Sequence, residues 1–380
     1  MIVVEKRFTM PLMWRGEMLM LSEVGSNFWD FSLDSPQRCI TLWWETDDYH
    51  RIYFKSGRNA IKAICRALKI NNTKVLLPAY TCETVIQPFL DEGWSIDFYR
   101  INKDLTVDDD FLKNKVEKFK PSVVLFHSYF GFDTLTSSLP LIKYLHDSGI
   151  VVIEDITQSL LSNHYIEFAD YYIGSLRKFL AIPDGGVLMS RTKLSISGIM
   201  PADKDVFSVA QQAFEEKSLY MKSELKEPNL KDKFREHYKE LNCLIAKNDK
   251  LTEISNESKV IWSSCNIEQI RSKRFKNYEF LNKFLKDISG LDSIFSRCMK
   301  GIAPLYMPIY VKNNRLVLQE YLAANYVYCP VIWPMPKQIQ DIDNETKYMY
   351  EHMLCLPIDQ RYGCEEMKKI ISLLRVYDYD

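Results

Sequence analysis

The alternation of helix-like and strand-like periodicity between residues 57 and 190 constrains the fold of this chain more than any other feature. Short apolar runs typical of strands are separated by stretches in which apolar residues recur at helical spacing. Strands are predicted at Val75–Leu77, Ile96–Ile101, Ser122–Ser128, Ile150–Glu154, Tyr171–Gly174 and Gly186–Met189. Such alternation is typical of a largely parallel sheet covered by helices, so we predict an α/β domain.

The rest of the chain changes character after residue 200. Residues 203–260 are dense in Lys and Glu and are predicted to form connecting helices with solvated faces. Further strands are predicted at Leu305–Val311 and Tyr326–Val331, and a last helix is predicted to begin near Glu365. We therefore predict three parts: an N-terminal segment (1–50) that packs on the main domain, a large α/β domain (51–260) and a small C-terminal α+β domain (261–380).

Composition excludes several classes of protein. The 380 residues carry 49 Lys and Arg against 50 Asp and Glu, so the net charge of −1 gives no electrostatic reason to expect a nucleic-acid or anionic-membrane partner. The chain contains no run of about 18 apolar residues, so no membrane helix is predicted. The nine scattered cysteines form no CxxC pair and the start MIVVEKRF has no signal-peptide pattern. We therefore expect reduced thiols, no metal site and a cytoplasmic location.

Polar residues that follow predicted strands are the first candidates for chemistry, because ligands of open α/β sheets bind at the carboxyl ends of strands. Before them, Gly57 and Arg58 begin a predicted helix whose free N–H groups could bind a phosphate. The alternative is an ordinary helix start with Ser56 as its N-cap. Asp155 ends one apolar strand and Gln158 follows three residues later. As a buried acid Asp155 needs a partner, although it could also be a helix cap.

His127 lies near the end of another predicted strand, and Lys178 follows a further one. A lysine in this position can lose hydration and become a nucleophilic amine that forms a Schiff base, although most such lysines lie on a surface. A lone histidine is more often structural. The joint order of phosphate-capable helix start, His, Asp and Lys fits pyridoxal phosphate, which needs a lysine, a carboxylate for its ring nitrogen and a helix terminus for its phosphate.

On these residues the sequence resembles the DegT/DnrJ/EryC1/StrS sugar aminotransferases, which are fold-type I pyridoxal-phosphate enzymes. The resemblance extends over about residues 50–375. It is carried by SGRNAI (56–61), LLPAYTCETV (76–85), HSYFG (127–131), VVIEDITQS (151–159) and ADYYIGSLRKFLAIPDGG (169–186). It implies an aspartate aminotransferase-like α/β architecture, with a mixed, mostly parallel sheet between helices and a smaller C-terminal α+β domain.

The resemblance also implies roles for single residues. Lys178 would form the Schiff base with the cofactor and later move a proton between cofactor and substrate. Asp155 would pair with the pyridine nitrogen, and Gln158 would lie against the ring hydroxyl. The remaining cofactor-binding residues implied are Gly57, Arg58 and Ser175 at the phosphate, and His127 beside the ring or the substrate.

The activity implied is transfer of an amino group from an amino acid, glutamate by analogy, to a keto acceptor such as a nucleotide-linked ketosugar, in a homodimer. Cys82 follows Thr81 where family members commonly have an aromatic residue, and we predict that it is a core thiol. Two alternatives stay open. One is a pyridoxal-phosphate enzyme of elimination or desulfuration, and the other is a non-catalytic fold-type I protein that binds a ligand or partner.

Overall fold

The computed structural model describes residues 23–29, 38, 40–223, 226–247, 250–339 and 343–379. Most of the predicted N-terminal segment, with Cys39, therefore lies outside the described residues. The strands are β1 (Val24–Gly25), β2 (His50–Phe54), β3 (Lys74–Pro78), β4 (Ser95–Tyr99), β5 (Val123–His127), β6 (Val151–Asp155), β7 (Tyr171–Ser175), β8 (Gly186–Ser190), β9 (Leu291–Ser293), β10 (Met307–Val311), β11 (Val327–Tyr328) and β12 (Met353–Leu356).

Helices connect and cover these strands. They are α1 (Gly57–Ala67), α2 (Glu83–Asp91), α3 (Asp109–Phe119), α4 (Leu139–Asp147), α5 (Lys204–Lys222), α6 (Pro228–Ala246), α7 (Asn256–Ser264), α8 (Ile267–Leu285), α9 (Arg315–Ala324), α10 (Asn344–His352) and α11 (Cys364–Val376). Among the residues described, no helix combines the length and the apolar character needed to cross a membrane.

The large sheet has the strand order β2-β8-β7-β6-β5-β3-β4. Strands β3 to β7 run parallel, and β8 runs antiparallel to both of its neighbours. The central strand β5 is buried at every position, as expected for a parallel strand covered on both faces. The predicted mixed, mostly parallel α/β fold is confirmed.

Helix α1 begins where the sequence predicts a capped start. The Ser56 hydroxyl accepts a hydrogen bond from the Asn59 N–H at 3.4 Å, and one face of the helix is buried against the sheet. The helix start lies directly on β8, because a Cβ at Gly186 would be 2.1 Å from the Ser56 carbonyl carbon and 2.5 Å from the Gly57 nitrogen. Only glycine permits this approach, which brings α1 to the end of β7.

The charged region after residue 200 is helical, as predicted, but it does more than connect. Helices α5 and α6 bury an apolar cluster of their own with Phe214, Tyr238 and Leu241 among its members. Their Lys and Glu residues lie mainly on the outer faces. The inner faces contribute to the cavity described below.

The C-terminal part contains a small antiparallel sheet of order β12-β10-β9. The strand predicted over Tyr326–Val331 is shorter than expected, because only Val327–Tyr328 pairs, in parallel with β1. Pro330 has no N–H to donate to a ladder, which explains why the strand ends before it.

Candidate active site

The site lies at the topological switch point of the large sheet. From β3 the chain continues to β4 on one side of β3 and then to β5 on the other side. A crevice therefore opens at the carboxyl ends of these parallel strands. Thr81 follows β3, His127 ends β5, Asp155 ends β6 and Lys178 follows β7.

Asp155 is a buried carboxylate with two polar partners. Its Oδ1 accepts a hydrogen bond from the Thr157 N–H at 2.9 Å, and its Oδ2 lies 3.4 Å from His127 Nδ1. Burial raises the pKa of Asp155, but the interactions with His127 and Thr157 outweigh it and leave the pKa below its ordinary value. No described helix begins at Asp155, because residues 157–161 form turns. The interaction with Thr157 is therefore a turn contact, and the alternative of a helix cap is wrong.

His127 connects Asp155 to the chain segment after β3. Its Nε2 lies 2.7 Å from the Thr81 hydroxyl, and only 4% of the residue is exposed. With the proton on Nδ1 facing Asp155, Nε2 accepts from Thr81. The indole of Trp333, from the C-terminal part of the chain, lies 5.4 Å from the imidazole at an angle of 34°.

Lys178 lies in a short 3-10 helix directly after β7. Its side chain is exposed, and it lines a cavity together with Ser175 and Arg177. Desolvation by the surrounding protein lowers the pKa of Lys178, and repulsion from Arg177 and Arg58 lowers it further against the opposing effects of Cys82 and Asp155. A larger fraction of neutral amine is therefore available than at the ordinary pKa of a lysine.

Two arginines stand close to Lys178. Burial lowers the pKa of Arg177 to about 10, and Arg58 adds to this by repulsion, so Arg177 stays cationic at neutral pH. Arg58 donates from Nη2 to the Ile245 carbonyl at 3.1 Å, while its buried Nε has no partner among the described residues. Three neighbouring cations beside the start of α1 form a place where an anion gains from both charge and free N–H groups.

The other predicted site residues are placed as follows. Gln158 is buried and its Oε1 accepts from the Phe130 N–H at 2.7 Å, so this residue also fixes the turn after β5. The Ser175 hydroxyl donates to the Gly185 carbonyl at 3.4 Å and lines the cavity. Gly57 is the first residue of α1. Cys82 is half-buried at the start of α2 and interacts electrostatically with Lys178 and Arg58.

The cavity in front of Lys178 has a volume of about 400 Å³. Its walls come from several parts of the chain, including α6, the C-terminal part and the segment 26–28, and no Asp or Glu is among the described residues that line it. Sequence reasoning missed Thr81, Trp333, Asn242 and the segment 26–28 as parts of this region. Trp333 and Asn242 have no local signal, because only the tertiary fold brings them near the strand ends.

The sequence leaves four arginines as candidates for binding a substrate carboxylate, namely Arg58, Arg177, Arg315 and Arg361. Of these four, only Arg177 lines the cavity. Arg315 donates to the Tyr350 carbonyl at 2.6 Å. Arg361 forms a bidentate pair with Asp359, at 2.7 and 2.9 Å. Arg58 stands at the start of α1 instead. The structure thus separates one arginine at the helix start from one in the cavity.

These residues fit pyridoxal phosphate. The start of α1 and the Arg58 Nε, which has no partner among the described residues, suit its phosphate. The ionised Asp155 suits a protonated ring nitrogen, and the amine of Lys178, with its lowered pKa, suits its aldehyde. The common position of these groups at one sheet edge is the property that the sequence order predicted.

Comparison with known proteins agrees with this reading. The sequence model of the DegT/DnrJ/EryC1/StrS aminotransferase family matches residues 46–375. The chain therefore belongs to this family. The predicted family, enzyme class and pyridoxal-phosphate cofactor are confirmed by this membership. No curated protein matches the chain significantly.

Solved structures with the same fold are distant in sequence. The aminotransferase PseC of Helicobacter pylori, which is involved in pseudoaminic acid biosynthesis, has 14% identity and a TM-score of 0.62, covering 86% of each chain. A DegT/DnrJ/EryC1/StrS aminotransferase of Brucella abortus has 15% identity and a TM-score of 0.60 over 86% of this chain and 85% of that one. NtdA of Bacillus subtilis, solved with bound cofactor PMP, has 16% identity and a TM-score of 0.60 over 86% and 72%.

Proposed function

We propose that this aminotransferase moves the amino group of L-glutamate to a nucleotide-linked ketosugar. The family to which the chain belongs supports transamination, and the involvement of PseC in pseudoaminic acid biosynthesis supports a sugar acceptor by analogy. The cavity walls carry the cations Arg177 and Lys178 and no described carboxylate, which favours anionic substrates such as glutamate and a nucleotide diphosphate.

Lys178 performs two tasks in this proposal. Bound pyridoxal phosphate supplies a carbonyl carbon for amines and a ring that accepts the electron pair released at the substrate carbon. The Lys178 amine binds the cofactor in the absence of substrate. When the amine of the substrate takes its place, the free Lys178 amine is the base that moves the proton at the substrate carbon. Its lowered pKa keeps part of it neutral, as both tasks require.

The other residues hold the cofactor in a reactive state. Asp155, kept ionised by His127 and Thr157, retains the proton on the ring nitrogen. Arg58, Ser175 and the N–H groups at the start of α1 bind the phosphate. The observation that carries the proposal is the position of Lys178, which lines the cavity directly after β7, while Asp155 ends the neighbouring strand β6.

The test is the visible absorption of the purified protein with pyridoxal phosphate, followed by borohydride reduction and peptide mass mapping. A yellow protein with the adduct on Lys178 is expected, and Lys178→Ala removes the adduct while Lys118→Ala, an exposed lysine of α3, keeps it. L-glutamate then converts the cofactor to its amine form, with loss of the yellow absorbance. A colourless protein, or an adduct on another lysine, would refute the assignment and favour a ligand-binding role.

A second reaction at the same lysine is a candidate because Cys82 interacts electrostatically with Lys178. A thiol in this position could assist elimination, which would convert L-serine to pyruvate and ammonia, or desulfuration, which would transfer the sulfur of L-cysteine to the thiol as a persulfide and leave L-alanine. In a transaminase Cys82→Ala keeps the glutamate half-reaction. Loss of pyruvate or L-alanine formation in Cys82→Ala would instead assign the thiol to the second reaction.

We also propose a homodimer in the cytoplasm. The dimer rests on resemblance to the family, and the location rests on the eight described cysteines, none of which is in a disulfide. Light scattering of the purified protein measures the dimer, and a monomeric mass for active protein would exclude it. Fractionation of source cells checks the location.

A further inference from the structure

Residues 23–29, called the strap here, lie outside the part of the chain that matches the family, which begins at residue 46. Nevertheless Ser26, Asn27 and Phe28 line the cavity together with Lys178 and Arg177. The strap starts with β1, which pairs with β11 of the small domain, and continues toward α5 and α6. One wall of the site is thus built from a segment that the family pattern does not describe.

The strap is held by its backbone. Four successive carbonyls each accept a hydrogen bond from a side chain of another element. The bonds are Tyr362 Oη to Gly25 at 3.0 Å, Arg361 Nη2 to Ser26 at 3.0 Å, Lys217 Nζ to Asn27 at 2.6 Å and Tyr238 Oη to Phe28 at 2.6 Å. Because these bonds fix the backbone of residues 25–28, they also fix the direction in which each Cα–Cβ bond leaves it.

These anchors include a buried cation. Lys217 is 1% exposed, and burial lowers its pKa well below the ordinary value. Gly25 has φ +96°, and a Cβ there would be 2.2 Å from the Tyr328 carbonyl oxygen, so the strap approaches β11 as closely as a backbone can. Burial of a lysine amine whose partner is a backbone carbonyl costs free energy. This cost is consistent with a strap that holds particular side chains at a fixed position.

The groups presented are an amide and an aromatic ring. Asn27 is exposed at the cavity, which Asn242 and Gln319 also line, and amides can donate to and accept from hydroxyl groups. Phe28 offers an apolar face, and its other side lies against the Arg361 guanidinium at 4.3 Å. Amides beside an aromatic face suit a compound with hydroxyl groups on an apolar ring.

We propose that the strap is a substrate-recognition element in which Asn27 and Phe28 bind the hydroxylated ring of the keto acceptor. This inference rests on the proposed function and adds which residues select the acceptor. Asn27 donates and accepts hydrogen bonds with ring hydroxyls, and Phe28 packs on the C–H face. The amino donor lacks such hydroxyls and does not need either side chain.

The experiment compares the two half-reactions of the holoenzyme in Asn27→Ala and Phe28→Ala. The donor half-reaction uses L-glutamate, and the acceptor half-reaction uses dTDP-4-keto-6-deoxyglucose, both followed by cofactor absorbance in single turnovers. Asn114→Ala, an exposed asparagine of α3, and Tyr144→Ala, an exposed aromatic of α4, are the matched controls. Because Asn27 and Phe28 are anchored through their backbone, truncation leaves the carbonyl bonds in place, and the melting temperature checks this.

We expect kcat/KM for the ketosugar to fall by about three- to tenfold in both variants, as loss of one hydrogen bond or ring contact predicts, with the glutamate rate within about twofold of wild type. Equal loss in both half-reactions, or no loss in either, overturns the proposal. Reaction with glutamate but with no ketosugar also overturns it while transamination stands. Absence of the Lys178 adduct and of the glutamate reaction refutes the proposed function, and the strap's role falls with it.

Discussion

His127 lies between two polar groups from neighbouring strands, with Nδ1 at 3.4 Å from Asp155 Oδ2 and Nε2 at 2.7 Å from the Thr81 hydroxyl. The strand register places His127 opposite Asp155, so the contact follows directly from the pairing of β5 and β6. Without a partner, a carboxylate as buried as Asp155 would favour its neutral form. His127 therefore acts as a positioning residue that keeps Asp155 ionised.

The first prediction is that His127→Leu raises the pKa of Asp155, because burial then acts with less opposition. Asp155 is ionised above its pKa and becomes neutral as the pH falls through that pKa. A higher pKa therefore moves the acid limb of kcat/KM to higher pH. The measurement is the pH profile of the glutamate half-reaction.

The controls for this prediction separate charge from packing. His127→Asn retains a donor toward Asp155 and should move the acid limb less than His127→Leu. His146→Leu, on α4 away from the crevice, should leave it in place. If His127→Leu lowered the rate equally at all pH values, the effect would be one of packing and the positioning role would be rejected.

The second prediction concerns the approach of α1 to β8. In Gly186→Ala the new Cβ meets the backbone of Ser56 and Gly57, so α1 must shift at a cost of about 1–3 kcal/mol in unfolding free energy. Pyridoxal phosphate should also bind more weakly, because the shifted helix start carries Arg58. Urea unfolding and cofactor titration measure both effects.

Gly57→Ala is the matched comparison, because a Cβ at Gly57 has nothing closer than the Gly174 carbonyl oxygen at 3.8 Å. This variant should keep the stability of the wild type within about 0.5 kcal/mol. Equal losses in the two variants would mean that contact with β8 does not position the helix.

The sequence predicted the strands that surround the site because parallel strands buried on both faces must be apolar, as in β5 and β6. It also predicted Asp155 and Lys178 as functional residues, since each follows such a strand. It missed β2, whose HRIYF sequence is only partly buried, because an edge strand carries a weaker apolar signal. Burial explains both the strands that were predicted and the edge strand that was missed, because it determines how strongly the apolar pattern of a strand is constrained.

The environment of the site was less predictable. Trp333 contacts His127, and the strap contacts Lys217 and Arg361, through tertiary packing between segments far apart in the chain. No local spacing encodes such contacts. Lys217 illustrates this, since in sequence it is one of many lysines in a charged helix, and only the fold shows it to be buried.

The third prediction uses Glu154, which precedes Asp155 on β6 and is completely buried. Burial raises its pKa from 4.5 to about 7, although the Ser128 hydroxyl and the Ile166 N–H donate to the carboxylate. Between these two pH values the folded protein binds more protons than the unfolded chain, so the unfolding free energy falls as pH rises. Glu154→Gln, which resembles the protonated acid, lacks this fall.

Urea unfolding at about pH 5 and about pH 8 tests this. Relative to Glu154→Gln, the wild type should lose about 2 kcal/mol between the two conditions. Glu117→Gln, an exposed residue of α3, should follow the wild type. A constant difference between wild type and Glu154→Gln would show that Glu154 titrates normally.

The fourth prediction separates the two arginines beside Lys178. Arg58 stands at the start of α1 with a buried Nε that has no partner in the described part of the chain, whereas Arg177 lines the cavity and its Nη2 donates to Asn242 at 3.3 Å. Losing a charge-assisted hydrogen bond costs about 1.5–3 kcal/mol, or roughly 10- to 100-fold in affinity. Arg58→Met should therefore weaken binding of pyridoxal phosphate by that factor, measured by absorbance titration. Arg177→Met should instead raise KM for L-glutamate, with the affinity for the cofactor changed less than about threefold.

Arg177→Lys is the control variant. It keeps the charge without the planar guanidinium and should recover part of the loss, because a point charge attracts a carboxylate less specifically. If Arg177→Met weakened cofactor binding as much as Arg58→Met does, both arginines would belong to the phosphate site and the carboxylate of the donor would have to be bound elsewhere.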